Sequence, residues 1–135
     1  MNNTVRIGRN SLEAPTLTKM FQSPRVVSMR TIEYVYVLSP EGTDRLRVRA
    51  HRAGREIVSF VVQYEAYLGE TWHPIVRFDT AHGFAHRDRM HPDGRVDKEP
   101  LLWDTYPVAL TMATEELKAQ WPQYRRRYEE EWHGV

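Results

Sequence analysis

The sequence predicts an α+β fold, an antiparallel sheet of four or five strands with a C-terminal helix or kinked helix pair packed on one face. Three observations carry this. Between Ile32 and Asp79, apolar residues recur at every second position in runs separated by turn residues, the mark of strands joined by hairpins. From Leu110 onward the apolar spacing changes to steps of three and four, the period of one helical face. The chain has 135 residues, 41% hydrophobic and 27% charged, a length and mixture suited to one core.

The elements follow in order. Residues 1–30 hold Arg6, Arg9, Lys19, Arg25 and Arg30 against the single acid Glu13, with Pro15 and Pro24 interrupting regular structure. This reads as a basic, extended or partly disordered arm ahead of one α+β domain over 31–135. Ile32, Tyr34, Tyr36 and Leu38 alternate along a first strand, and Ser39-Pro40-Glu41-Gly42 turns the chain, because proline presets φ and glycine tolerates positive φ. Leu46, Val48 and Ala50 then alternate with Arg45, Arg47, Arg49 and His51, so the apolar residues share one face and the arginines the other. Glu56 to Leu68 is the central strand, with Val58, Phe60, Val62 and Tyr64 on one face. After the Gly69-Glu70 turn, Thr71 to Asp79 forms a fourth strand with Trp72, Pro74, Val76 and Phe78 assigned to one side. Pro74 lacks a backbone donor and predicts a bulge or an edge there.

In the last third, Leu110, Ala113, Leu117, Trp121, Tyr124, Tyr128 and Trp132 make a helical stripe. Pro122 is expected to kink it or divide it in two. Trp121, Tyr128 and Trp132 are expected to meet Phe60, Val62, Trp72 or Val76. Arg125, Arg126 and Arg127 each have a glutamate four residues on, which reads as a solvated helix face.

Composition removes several function classes. There is no cysteine, which excludes disulfides, thiolate metal sites and a cysteine nucleophile. Nineteen basic residues against eighteen acidic give a formal charge of +1, so nucleic-acid binding requires a local patch. No apolar run reaches the ~18 residues of a membrane span and the first twenty residues lack the apolar stretch of a secretory signal. A cytoplasmic location without membrane association is therefore expected.

The chemistry concentrates in Arg77 to Glu99, RFDTAHGFAHRDRMHPDGRVDKE, with three of the six histidines and four aspartates. Two imidazoles facing one substrate can share the roles of base and acid, and a carboxylate beside each fixes its orientation. His82, His86, Asp79 and Asp88 are the candidate catalytic residues, with Arg77, Arg87, Arg89 and His91 to hold an anionic substrate. No cofactor is needed for that chemistry. A divalent metal ion held by His82, His86 and Asp88, or with Asp79, is the alternative. In a straight strand His82 and His86 would lie roughly 13 Å apart, so a bend at Gly83 is then required. The bland alternative is a hydrogen-bonded loop, since Pro92-Asp93-Gly94 is a strong turn signal. His51, His73 and His133 stand apart from the cluster and read as surface or capping residues.

The stretch WHPIVRFDTAHGFAHRDRMHPDG resembles the signature of a family of small, mostly uncharacterised bacterial proteins, Trp-x-Pro-Val-x-Arg-Tyr-Asp-Thr-Ala-His-Gly-Phe-x-His-x-Asp. It is also loosely similar to the Tyr-Asp-Asn-x-x-Gly-x-x-Asp-His core of toxins from type II toxin–antitoxin modules. Asp79 and Gly83 match that core, while Phe78 stands for its tyrosine and His86-Arg87-Asp88 for its Asp-His. The first resemblance implies an α+β fold, and the second implies interference with translation or RNA and an antitoxin as protein partner. Together with the histidines, the expectation is a small toxin-type, metal-independent ribonuclease or phosphodiesterase. The competing class is a non-catalytic protein-binding module in which the His/Asp segment is a structural loop.

Overall fold

The computed structural model describes residues 4–7, 26–81, 83–102 and 105–134. Among these residues seven strands, β1 (Thr4–Ile7), β2 (Val26–Val37), β3 (Asp44–Ala53), β4 (Glu56–Leu68), β5 (Thr71–Asp79), β6 (His86–Met90) and β7 (Val96–Pro100), pair in chain order, and α1 (Tyr106–Gly134) follows. Every pairing is antiparallel. The fold class and the C-terminal helix are those the sequence predicts, but the strand count is higher. Six strands occupy 26–100 in place of four or five, and β1 adds a short seventh. Of the basic segment 1–30, residues 4–7 pair with Val26–Met29; residues 1–3 and 8–25 lie outside the described residues.

Turn chemistry sets the meander. Gly42 donates its N–H to the Ser39 carbonyl at 3.0 Å, closing the β2–β3 loop. Between β4 and β5 the paired residues Leu68 and Thr71 leave a loop of two, with φ of 58° at Gly69 and 69° at Glu70. Positive φ at both central positions matches the right-handed twist of the flanking strands. Alternation then divides the sheet into two faces. Leu46, Val48, Ala50, Phe60, Val62 and Tyr64 are buried beneath α1, whereas Arg47 and Arg49 are exposed on the other side.

On β5 the side assignment needs correction. The register shifts between Tyr64 and Glu65: Val76 opposes Tyr64 and Pro74 opposes Glu65, so Ile75 is the extra residue of a bulge. Such an insertion reverses the alternation across it. Val76 and Phe78 therefore face the core with Phe60 and Tyr64, while Trp72 lies on the opposite face, edge-on to Tyr67 at 5.3 Å and beneath the Arg45 guanidinium at 3.7 Å. His73 takes the core-side place and packs against Trp132 at 4.7 Å and Tyr128 at 6.0 Å.

Thr105 caps α1, its hydroxyl accepting from the Val108 N–H at 3.4 Å, which satisfies one of the orphan donors of the first turn. The helix runs as one element through Pro122 and packs chiefly on β4. Ala109, Ala113, Leu117 and Tyr128 are buried on its stripe. Trp121 meets Tyr64 at 6.2 Å and Tyr106 meets Phe60 edge-on at 6.1 Å; burying a large apolar side chain contributes about 2–3 kcal/mol. A polar fastening lies within this interface. Asp44 accepts from Tyr64 Oη at 2.5 Å and from Arg125 Nη1 at 2.7 Å. Among the described residues, Arg125–Glu129 is the one i,i+4 ion pair formed by the Arg triplet. No helix among them is long and apolar enough to cross a membrane.

Candidate functional site

Among the described residues no helix packs on the face of the sheet opposite α1, and the side chains of that face form rows across the strands. Asp79 on β5 opposes His86 on β6, and Arg77 opposes Asp88. Because residues 86 and 88 share a side, Asp79, His86 and Asp88 converge. His86 Nε2 lies 2.8 Å from Asp79 Oδ1 and 3.7 Å from Asp88 Oδ1. One donor atom from each lies within 4.8 Å of the other two. All three are buried, with His86 4%, Asp79 7% and Asp88 3% exposed.

The cover comes from the chain between β5 and β6. Ala81 donates its N–H to Asp79 Oδ1 at 3.2 Å, and Gly83 donates to the Thr80 carbonyl at 3.1 Å. The Phe84 ring lies 5.8 Å from that of His86. Lys98 on β7 places Nζ 3.2 and 3.3 Å from the two Asp88 oxygens. The other ring nitrogen, His86 Nδ1, is 3.4 Å from the Phe84 carbonyl oxygen. Both nitrogens thus face oxygen. The protonated ring donates from both; the neutral ring keeps one lone pair, which a metal ion would accept.

The cluster is connected to solvent through Asp79. That residue lines a pocket of about 290 Å³ with Arg49, His51, Ser59 and Thr80. A groove of about 580 Å³ adjoins it, shares Arg49 and Val61, and is lined also by Glu33, Arg47, Gln63 and Arg77. His51 Nδ1 rests 3.1 Å from the Thr31 hydroxyl, which orients its ring.

The structure therefore brings Asp79, His86 and Asp88 together, with Arg77 on the same face; His82 lies outside the described residues. Arg87, Arg89 and His91 fall on the helix side, because their alternation is opposite to that of residues 86 and 88. Arg87 Nη1 donates to Glu116 at 3.1 Å and to Tyr124 Oη at 3.1 Å, and Nη2 pairs with Glu99. Burial, then the bond to Glu116, pushes the Tyr124 phenol up to about 12. His91 bridges Glu131 on α1 and Asp97 on β7, each at 2.7 Å. These two bonds, that to Glu131 first, raise its pKa above the ordinary histidine value. It ties the β6–β7 turn to the helix. His51 is the residue that sequence reasoning set aside; its position in phase with Arg45, Arg47 and Arg49 was the available signal that it shares their face.

Fold and site together define an α+β protein whose sequentially paired sheet has a helix packed on one face and a buried Asp-His-Asp cluster on the other. Residues 29–134 match the model of a domain of unknown function (DUF7718), and the chain belongs to that family. No match was found among curated proteins or among solved structures.

Proposed function

We propose that the protein is a phosphodiester-cleaving enzyme that acts on RNA through the pocket over β3–β5. One observation carries this reading: Asp79, bonded from behind by His86 Nε2 at 2.8 Å, lines the same pocket as His51 and Arg49. Asp79 accepts the proton of a ribose 2′-hydroxyl, whose oxygen attacks phosphorus while the bond to the 5′ oxygen breaks. His51 donates a proton to that leaving oxygen, giving a 2′,3′-cyclic phosphate and a free 5′-hydroxyl. Arg49 neutralises the phosphoryl oxygens. His86 and Asp88 are positioning residues, and Lys98 balances the second carboxylate. His82 is the other candidate acid.

The test is cleavage of a fluorogenic oligoribonucleotide by untagged protein. Asp79→Asn and either His51→Gln or His82→Gln should each lower kcat about 100-fold or more, with a bell-shaped pH profile for the wild type that belongs to the acid–base pair as a whole. Growth arrest on expression, lost in the Asp79→Asn variant, is the matching cellular outcome for a toxin-type role. Turnover no higher than that of Asp79→Asn protein purified in parallel refutes the reading and favours a non-catalytic protein-binding module.

A second reading rests on the 4.8 Å convergence of Asp79, His86 and Asp88. A divalent ion there would be held by one nitrogen and two carboxylates, with water completing its shell and made more acidic. Elemental analysis of untagged protein, and melting shifts with manganese, zinc or nickel that vanish in His86→Gln, test it. Absence of both metal and shift removes it.

A further inference from the structure

The same face continues beyond the pocket in a graded order. Opposed residues give a row of Arg49, Val61 and Asp79, a next row of Arg47, Gln63 and Arg77, a third of Arg45 and Glu65, and a last of Tyr67 and Trp72. From Val61 to Tyr67 this spans about 20 Å along β4. Arg47, Arg49 and Arg77 line one continuous groove that holds a single acid, Glu33. Arg77 donates from Nε to Gln63 Oε1 at 2.8 Å, while the Nε atoms of Arg47 and Arg49 lie 3.7 Å from Glu65 and 3.8 Å from Glu33. Among the described residues their terminal nitrogens have no further ion-pair or hydrogen-bond partner. The side chains of Arg47 and Arg49 are 50% and 57% exposed.

We infer that this groove is the track for a single-stranded RNA backbone, its phosphates on Arg77, Arg47 and Arg49, leading from a base-stacking end at Tyr67–Trp72 to the Asp79 pocket. The assignment deepens the proposed cleavage reaction by stating how the strand lies, and rests on it for the identity of the sugar. Each guanidinium carries a planar fork of donors that matches two phosphate oxygens. Val35 and Val61 supply an apolar floor between them. Tyr67, 40% exposed and edge-on to Trp72, offers a ring to an unpaired base. Positive groove and aromatic ring are the two components of sequence-tolerant single-strand binding. A duplex keeps its bases stacked inside and has nothing to offer Tyr67.

Binding is measured apart from cleavage with a fluorescein-labelled twelve-nucleotide 2′-O-methyl oligouridylate, which has no 2′-hydroxyl to attack. Single strands lose affinity with a logarithmic salt slope of about −0.7 per phosphate neutralised, so three arginines predict a slope of about −2. Wild-type affinity should fall about 20-fold between 50 and 200 mM salt. The Arg47→Ala, Arg77→Ala double variant should show a slope of about −0.7 and lose only about threefold over that range. Tyr67→Ala should weaken binding about fivefold or more. Arg47→Gln with Arg77→Gln repeats the measurement with the side-chain stems largely kept, and unchanged melting of the variants establishes that the sheet is intact. An unaltered slope in the double variant, equal affinity for duplex RNA, or equal affinity for a polyglutamate peptide overturns the assignment. Binding without cleavage of unmodified RNA leaves the track standing and removes the enzyme; cleavage whose KM ignores the double substitution does the reverse.

Discussion

Replacing Asp44 by alanine should be among the most damaging single changes in this protein. Asp44 is 2% exposed, on the first residue of β3, and its Oδ1 accepts from Tyr64 Oη at 2.5 Å and Arg125 Nη1 at 2.7 Å. Its other oxygen accepts from the Thr43 hydroxyl at 3.2 Å. Removing it opens a cavity and leaves the Arg125 guanidinium with Glu129 as its remaining acid, and breaking one side of a buried ion pair costs about 3–5 kcal/mol. Tyr64→Phe keeps the Asp44–Arg125 pair and forfeits one hydrogen bond to a carboxylate, a cost of about 1.5–3 kcal/mol. Burial and the Asp44 bond hold the Tyr64 phenol far above its ordinary pKa, so the hydroxyl remains a donor throughout the range in which the protein is handled. A domain of this size has about 5–15 kcal/mol in all, and at about 4 °C per kcal/mol Asp44→Ala should melt about 12–20 °C lower. Urea unfolding followed by tryptophan fluorescence gives the free energies, since Trp121 contacts Tyr64 at the same interface. The Asp44→Ala, Tyr64→Phe double variant should cost less than the sum of the two single changes. A loss below about 1 kcal/mol for Asp44→Ala, or strict additivity in the cycle, would show that the Asp44 fastening does not hold α1 on the sheet.

Other expectations concern the same scaffold. His91 has a raised pKa through Glu131 and then Asp97, so the stabilisation it brings is complete below the unfolded value of 6.5 and is lost as pH climbs through the higher folded value. Melting temperatures measured from pH 6 upward should fall more steeply for wild type than for His91→Asn, and parallel curves would refute this. Pro122 is exposed within α1 and removes one helical hydrogen bond, so Pro122→Ala should raise stability by about 1–3 kcal/mol in denaturant unfolding. Gly69 has φ of +58°, and a Cβ there would stand 3.3 Å from Trp132 Cζ2; Gly69→Ala should cost about 1–2 kcal/mol and shift the Trp132 fluorescence.

The central strands and the helix were legible because burial imposes a period. Leu46, Val48 and Ala50 on β3, Phe60 to Tyr64 on β4, and Ala113, Leu117 and Tyr128 on α1 stand on the faces their spacing requires. β7 was not legible because Val96–Pro100 is exposed at every position, and without a buried side there is no alternation to read. The bulge at Ile75 was half legible: Pro74 marked the place, but which residue is extra depends on the partner strand. Arg125 shows the limit of local pairing, since the carboxylate that matters most to it, Asp44, is 81 residues away. At the site, the sequence grouped residues 77–91 by proximity along the chain. The strand period sorts them instead, sending Asp79, His86 and Asp88 to one face and Arg87, Arg89 and His91 to the other, and admits His51 from another strand.

Pairing in strict chain order has a consequence for synthesis on the ribosome. From β2 to β7 each strand finds a partner already synthesised when it emerges, since every neighbour in the sheet is the neighbour in sequence. The element that covers Phe60, Val62 and Tyr64 comes last. In a nascent chain the strands can therefore pair while the face of Phe60, Val62 and Tyr64 still lacks α1, until Trp121 and Tyr128 have left the exit tunnel. At about 5–20 residues per second, translating the 29 residues of α1 takes seconds, and during that interval the sheet face is a site for chaperone capture or for self-association.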